Sequence, residues 1–166
     1  MQLTIRALSA ALLVWGLCPL GATAQDAPLA FEGLRSGAGQ PVEITADLLS
    51  VNQKESTATF SGNVVVVQGE LHLSADEILV EYVQGDKSKI DKLYANGHVL
   101  LVTSSEAAEA ENAVYSLTTK QIEMTGNVLL TQKDSAISGQ KLIVDLTTGT
   151  GKMEGRVTTV LQPGGN

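Results

Sequence analysis

The chain has 166 residues, of which 43% are hydrophobic and 4% aromatic, and its formal net charge is −7. This length is sufficient for one domain with a hydrophobic core. Because an acidic chain without a basic run is poorly suited to neutralise phosphates, nucleic acid is excluded as a partner.

The first 24 residues have the order of charge and apolarity that is typical of a secretory signal peptide. Arg6 precedes an apolar run at residues 7–20, and small residues then lead to a predicted cleavage between Ala24 and Gln25. Since this run is shorter than the roughly 20 residues of a membrane-spanning helix, an uncleaved anchor is the disfavoured alternative. Cys18 would be removed with the signal, which leaves no thiol in the exported chain. The sequence therefore predicts a periplasmic protein.

Proline placement divides the exported chain. All four prolines lie outside residues 42–162, and proline cannot donate a hydrogen bond within a β-sheet. We therefore predict a flexible arm at residues 25–41, an ordered body at residues 42–162 and a short tail at residues 163–166.

Two short motifs recur in step through the body. A Gly-X-Val motif has spacings of 35, 29 and 29 residues and begins at Gly62, Gly97, Gly126 and Gly155. A small residue followed by a polar one has spacings of 29, 35 and 29 residues and begins at Ala46, Ala75, Ala110 and Gly139. The two series agree if a six-residue insertion lies near residues 85–88. The sequence therefore predicts a 29-residue repeat.

Apolar residues alternate with period two inside each repeat, which is typical of a strand with one buried face. Leu49 and Val51, for example, correspond to Ile78 and Val80 in the next repeat. Polar clusters interrupt the alternation once in each repeat. Each repeat is therefore predicted to form two strands of about ten residues with a turn between them.

The recurrent glycine predicts a bend in every long strand, because glycine tolerates positive φ and a close backbone approach. Bends stacked at one level would fold a wide sheet into two facing layers with apolar residues inside. A glycine at an ordinary turn between separate strands is the alternative. Both interpretations predict a stacked all-β fold. Residues 64–67, 99–102 and 128–130 are apolar on both strand faces, so their outer face needs cover, a subunit contact or a ligand.

The order and spacing of these elements resemble the OstA-like family. The resemblance is carried by Pro-Val-Glu-Ile-Thr-Ala-Asp at 41–47, Ala-Thr-Phe-Ser-Gly-Asn-Val-Val-Val at 58–66, Gln-Gly at 68–69 and Leu-Ser-Ala-Asp at 73–76. It implies a β-jelly roll of stacked antiparallel strands that is open at both ends. It also implies end-to-end joining and transport of lipopolysaccharide from the inner to the outer membrane, with the acyl chains inside the roll.

The partners implied by this resemblance are lipopolysaccharide, further copies of the chain, and inner-membrane and outer-membrane transport components of similar fold. The sheet edges at residues 42–51 and 155–161 are the candidate joining surfaces. Without the resemblance, the inward apolar residues fit an ordinary packed core equally well. The predicted acyl-chain-lining residues are Leu49, Val51, Phe60, Val64, Val66, Ile78, Val80, Tyr82, Leu93, Val99, Leu101, Tyr115, Leu117, Ile122, Met124, Val128, Leu130, Leu142, Val144 and Leu146.

The sequence contains no recognisable catalytic or metal-binding constellation. His72 and His98 lack a second ligand or a base at a familiar spacing. The acidic clusters at 76–77 and 106–111 fit solvated strand ends better than paired catalytic carboxylates. We therefore predict no enzyme activity, no metal site and no cofactor. A ligand-free, self-assembling periplasmic β filament and a parallel β-helix protein that acts on polysaccharide are the alternatives.

Overall fold

A computed structural model describes residues 29–30 and 39–161. The predicted signal peptide, its cleavage site at Ala24 and Gln25, most of the predicted arm and the tail lie outside the described residues. The strands are β1 (Leu29–Ala30), β2 (Glu43–Thr45), β3 (Leu48–Asn52), β4 (Thr57–Gln68), β5 (Leu71–Val83), β6 (Asp86–Val102), β7 (Glu106–Ser116), β8 (Gln121–Gln132), β9 (Ser135–Asp145), β10 (Thr150–Glu154) and β11 (Thr158–Leu161).

These strands form one antiparallel sheet in which the long strands β4 to β9 pair in sequence order. Both β2 and β3 pair with β4, and both β10 and β11 pair with β9. At each end of the sheet, two short strands thus take the place of one long strand. The predicted all-β, stacked antiparallel fold is confirmed. Every strand pairing of the described residues is antiparallel, which excludes a parallel β-helix there. None of these residues belongs to a helix with the length and apolarity required to cross a membrane.

Strands β4, β6 and β8 each bend at the repeated glycine. Gly62, Gly97 and Gly126 have φ values of +79°, +76° and +86°, and the residue after each glycine also has a positive φ. The pairing register shifts at the same places, so that two residues of the bent strand face one residue of its partner. This is the geometry of a β-bulge, which bends a strand and increases its twist. The predicted bends are therefore confirmed.

The second repeated motif lies across the sheet from these bends. Asn63 Nδ2 donates to Asp47 Oδ2 at 2.7 Å, and Asn127 Nδ2 donates to Glu111 Oε1 at 2.6 Å. In the intervening repeat, His98 Nδ1 and Asp76 Oδ2 lie 2.8 Å apart. The two motifs recur in step because the polar residue of the second motif contacts the residue that follows the glycine of the first motif on a neighbouring strand.

The bends fold the sheet into two facing layers. One layer contains β2, β11 and the parts of β4 to β9 that lie on the same side of the bends as these two strands. We call it the β2–β11 layer. The other contains β3, β10 and the remaining parts of the long strands, and we call it the β3–β10 layer. The inner faces of both layers contribute to one buried hydrophobic cluster, so the core lies between the layers.

The six-residue insertion lengthens one hairpin. Strand β6 has 17 residues, and its pairing with β5 is irregular around Tyr82. At the hairpin turn, the Ser88 hydroxyl and the Lys89 ammonium lower the pKa of Asp86 from 3.8 to about 2. The carboxylate remains ionised at neutral pH and orders the turn.

Candidate functional site: an aliphatic interior with two open edges

The interior between the layers is almost entirely aliphatic. Most side chains that the sequence predicted to line acyl chains lie here, and each is at most 3% exposed. They are Val64, Val66, Ile78, Val80, Leu93, Val99, Leu101, Tyr115, Ile122, Met124, Val128, Leu130, Leu142, Val144 and Leu146. They belong to one buried hydrophobic cluster, so the interior offers an apolar environment.

Five further predicted residues lie at the margins of this interior. Phe60, Tyr82 and Leu117 are half-buried and pack against the core. Leu49 and Val51 are 52% and 61% exposed. Both point to the inner side, since their cross-strand partners in β4 are Phe60 and Ala58 and directly opposed residues share a face. They are exposed because β3 is an edge strand, and within the described part of the chain it pairs only with β4.

Several interior residues of the β2–β11 layer were not predicted from the sequence. On β5, Leu71, Leu73 and Ala75 are buried, yet they have the opposite parity to Ile78. The alternation shifts because Asp76 and the residue after it are both exposed at the corner. In the sequence, the two consecutive polar residues that begin at Asp76 are the feature from which this shift could have been predicted. The same shift explains the buried Ala108 and Ile137.

One polar pair crosses the interior from layer to layer. The Tyr115 hydroxyl donates to Gln68 Oε1 at 2.7 Å, and Gln68 Nε2 donates to the carbonyl oxygen of Gln40 at 2.9 Å. Among the described residues, Gln68 is the buried polar side chain of the core and is 4% exposed. Burial raises the pKa of Tyr115, so its hydroxyl stays neutral and donates at physiological pH. This pair fastens the side of the roll opposite the bends.

We expect Tyr115→Phe to reduce the free energy of unfolding by about 1–2 kcal/mol, because it leaves a buried amide oxygen without its donor. Urea unfolding of the purified chain measures the change. Tyr94→Phe is the matched control, since the Tyr94 hydroxyl binds Glu81 at 3.0 Å on the outer face. Equal losses in the two variants would contradict a special contribution from the interior pair.

Both ends of the sheet expose large apolar side chains. At the β2–β3 end these are Leu48, Leu49 and Val51, which are 52–63% exposed. At the β10–β11 end they are Val157, Val160 and Leu161, which are 48–72% exposed. Leu129 is the remaining large apolar residue among those described as exposed, at 37%. The exposed apolar surface is thus concentrated at and beside β3 and β11, which each pair with a single strand of the described residues.

The residues considered for catalysis are placed apart from this interior. His72 is exposed on β5, and His98 contacts Asp76 at a bend, where both side chains are more than 60% exposed. The described residues contain no group of three or more His, Cys, Asp or Glu side chains able to hold a metal ion.

The sequence profile of the family described as LptA/(LptD N-terminal domain) LPS transport protein matches residues 43–150. The chain belongs to this family. The resemblance to the OstA-like family, which the motifs between residues 41 and 76 carry, is thereby confirmed. The matched segment begins at β2 and ends at the start of β10, so it covers all of the long strands β4 to β9, which contribute to both layers.

Relatives of this LptA and LptD family include an uncharacterized protein of Rhizobium meliloti (strain 1021), which is 34% identical over 125 residues and aligns across 69% of this chain and 67% of its own length. The lipopolysaccharide export system protein LptA of Escherichia coli (strain K12) is 36% identical over 50 residues, which cover 30% of this chain and 27% of that protein. The LPS-assembly protein LptD of Haemophilus ducreyi is 35% identical over 92 residues, which make up 49% of this chain and 12% of LptD.

The fold also matches a crystal structure. LptH of Pseudomonas aeruginosa is described as the LptA-homologous periplasmic component of a lipopolysaccharide transport device. It aligns with a TM-score of 0.67 at 17% identity, over 79% of this chain and 99% of LptH. At this identity the match establishes the β-jelly-roll fold, which the strand pairing shows independently.

Proposed function

We propose that this member of the LptA and LptD family is a periplasmic lipopolysaccharide carrier. It shields acyl chains in its aliphatic interior, joins end to end with further copies, and bridges inner-membrane and outer-membrane transport components of similar fold. The observation that carries the proposal is the interior itself, because its apolar residues form rows that cross the sheet from β3 to β10.

One such row can be followed strand by strand in the β3–β10 layer. Its members are directly opposed cross-strand partners, and all of them lie on the inner face. In order they are Val51, Ala58, Val80, Leu93, Tyr115, Ile122, Val144 and Gly151. With strands about 4.8 Å apart, eight strands span roughly 34 Å. A lipid can shift along this path without meeting a charged side chain.

The energetics favour a shared interior over release into water. Each methylene group gains about 0.8 kcal/mol when it leaves water, so exposing a whole acyl chain between carriers would be prohibitively slow. Aliphatic side chains offer contacts of low directionality, which allow the lipid to slide. The acidic chain repels an anionic headgroup, so the headgroup remains outside the roll.

End-to-end joining is supported by strand direction. An odd number of antiparallel pairings separates β3 from β10 and β2 from β11. Strands β3 and β2 of a second copy therefore continue the alternating pattern when they are placed on β10 and β11 of the first. The apolar residues at both edges would be buried in the same step. A ligand-free filament would use the same edges and is separated from the carrier by lipid capture.

The domain organisation remains part of this proposal. Residues 1–24 direct export and are removed, residues 25–41 form an arm, residues 42–162 form the jelly roll and residues 163–166 form a tail. The assignment includes no catalytic step, no metal and no cofactor.

Photo-crosslinking in cells that produce lipopolysaccharide tests the interior. A photoreactive residue at Val64 or Leu130, both fully buried between the layers, is expected to capture lipopolysaccharide. The neighbouring positions Val65 and Leu129 are the matched controls, since they lie on the outer face of the same strands. Capture of protein alone at all four positions would favour the ligand-free filament and would reject the carrier.

A further inference from the structure

The first described strand lies on the last strand of the β3–β10 layer. Strand β1 pairs antiparallel with β10, with Leu29 opposite Gly151 and Ala30 opposite Thr150. Leu29 is half-buried and packs against the core. Two residues of the predicted arm thus cover the sheet edge that the proposed assembly requires.

The register of β1 matches that of β3. At the opposite end of the layer, Val51 and the residue after it occupy two adjacent cross-strand rows. Followed across the sheet, these rows end on β10 at Gly151 and Thr150, where Leu29 and Ala30 are the next residues. Because both β3 and β1 run opposite to β10, β1 has the direction and the register of β3 from a copy stacked on this edge.

Gly151 explains why the edge needs cover. It is buried, and it lies on the inner row without a side chain of its own. Leu29 is the apolar side chain that continues the inner row past Gly151. When a second copy is stacked on this edge, its Val51 would take the place of Leu29. Leu29 of the same molecule and Val51 of the neighbour therefore compete for one position beside Gly151.

From this register we infer that Leu29–Ala30 is an intramolecular cap that mimics β3 of the next copy, so that a second copy of this chain must displace it to join the β10 edge. The inference rests on the proposed end-to-end assembly and adds an internal competitor to it. An isolated molecule is thereby protected from indiscriminate pairing at this edge, which is a general hazard of exposed edge strands.

The competition favours the neighbour once it is present. The cap has 2 residues, whereas β3 has 5 and is joined by β2, which is placed to pair with β11 in the other layer. The apparent affinity for a second copy equals the intrinsic affinity multiplied by the fraction of molecules whose β10 edge is free. Weakening the cap should therefore strengthen assembly without touching either joining surface.

Sedimentation velocity over a concentration series of the exported chain tests this. Leu29→Asp and Leu29→Gly are each expected to lower the concentration of half-maximal association by about five- to tenfold. This corresponds to about 1.0–1.4 kcal/mol of association free energy. Leu29→Gly removes the side chain without adding charge. Leu129→Asp is the matched control, because it adds the same charge to the outer face of a central strand and should leave the midpoint unchanged.

Hydrogen exchange provides a second readout. Amides of β1 are expected to exchange faster in assembled than in dilute wild-type protein, while those of β10 stay protected. If the wild type associates but the Leu29 variants associate equally or more weakly, the cap is rejected and end-to-end assembly survives. If neither wild type nor variants associate at any concentration, the proposed assembly is rejected together with its competitor.

Discussion

Replacing Leu49 and Val51 together with aspartate is expected to weaken end-to-end association by about 100-fold or more while leaving the fold intact. Each side chain loses roughly 1.5 kcal/mol or more of burial energy at the joint, and every 1.4 kcal/mol is a tenfold change in affinity. The isolated molecule should tolerate the change, because both side chains are more than half exposed. Sedimentation velocity measures the association, and thermal unfolding verifies the fold.

The same strand provides the control for this experiment. Ser50 lies between the two residues, and it is exposed on the outer face opposite Thr59. Ser50→Asp adds a charge to the same edge without entering the inner row, so its association should stay within about threefold of wild type. Undiminished association of the double variant would show that the β3 edge is not the joining surface.

These edge residues mark a limit of sequence reasoning. Parity correctly assigned Leu49 and Val51 to the inner face, since it depends only on the alternation of side chains along a strand. Parity does not indicate whether another strand lies beside β3. Leu49 and Val51 are exposed because β3 is at the edge of the sheet. The bend glycines were predictable for the opposite reason, because positive φ is a local requirement that the residue type reveals.

Three features of the interior depend on contacts that sequence order does not reveal. The hydrogen bond between Tyr115 and Gln68 joins residues 47 positions apart, and neither residue signals the other. The two consecutive polar residues that begin at Asp76 indicate a parity shift, but the corner that causes it is bent by Gly97 on a neighbouring strand, which their sequence positions do not reveal. The pairing of Leu29 with β10 joins residues from opposite ends of the described chain, and only the order of strands in the sheet brings them together.

The bend glycines support a second large expected effect, on stability. Gly126→Ala is expected to lower the free energy of unfolding by about 3 kcal/mol and the melting temperature by roughly 10 °C. The left-handed backbone at φ +86° costs alanine about 1 kcal/mol. The remainder comes from contact, because the new methyl group would lie 2.8 Å from Glu111 Cβ. A carboxylate can rotate away, whereas a Cβ atom fixed to a paired strand cannot.

Gly85→Ala separates these two contributions. Gly85 has nearly the same backbone conformation, with φ +83°, but a methyl group added there meets nothing within 4 Å. Its variant should therefore lose only the backbone cost of about 1 kcal/mol. Urea unfolding compares the two variants, and Glu111→Gly combined with Gly126→Ala should recover most of the difference. Equal losses at the two glycines would mean that backbone strain alone accounts for the effect. A larger loss at Gly126 would show that the close approach of the acidic strand at the corner, as well as the bend, holds the two layers face to face.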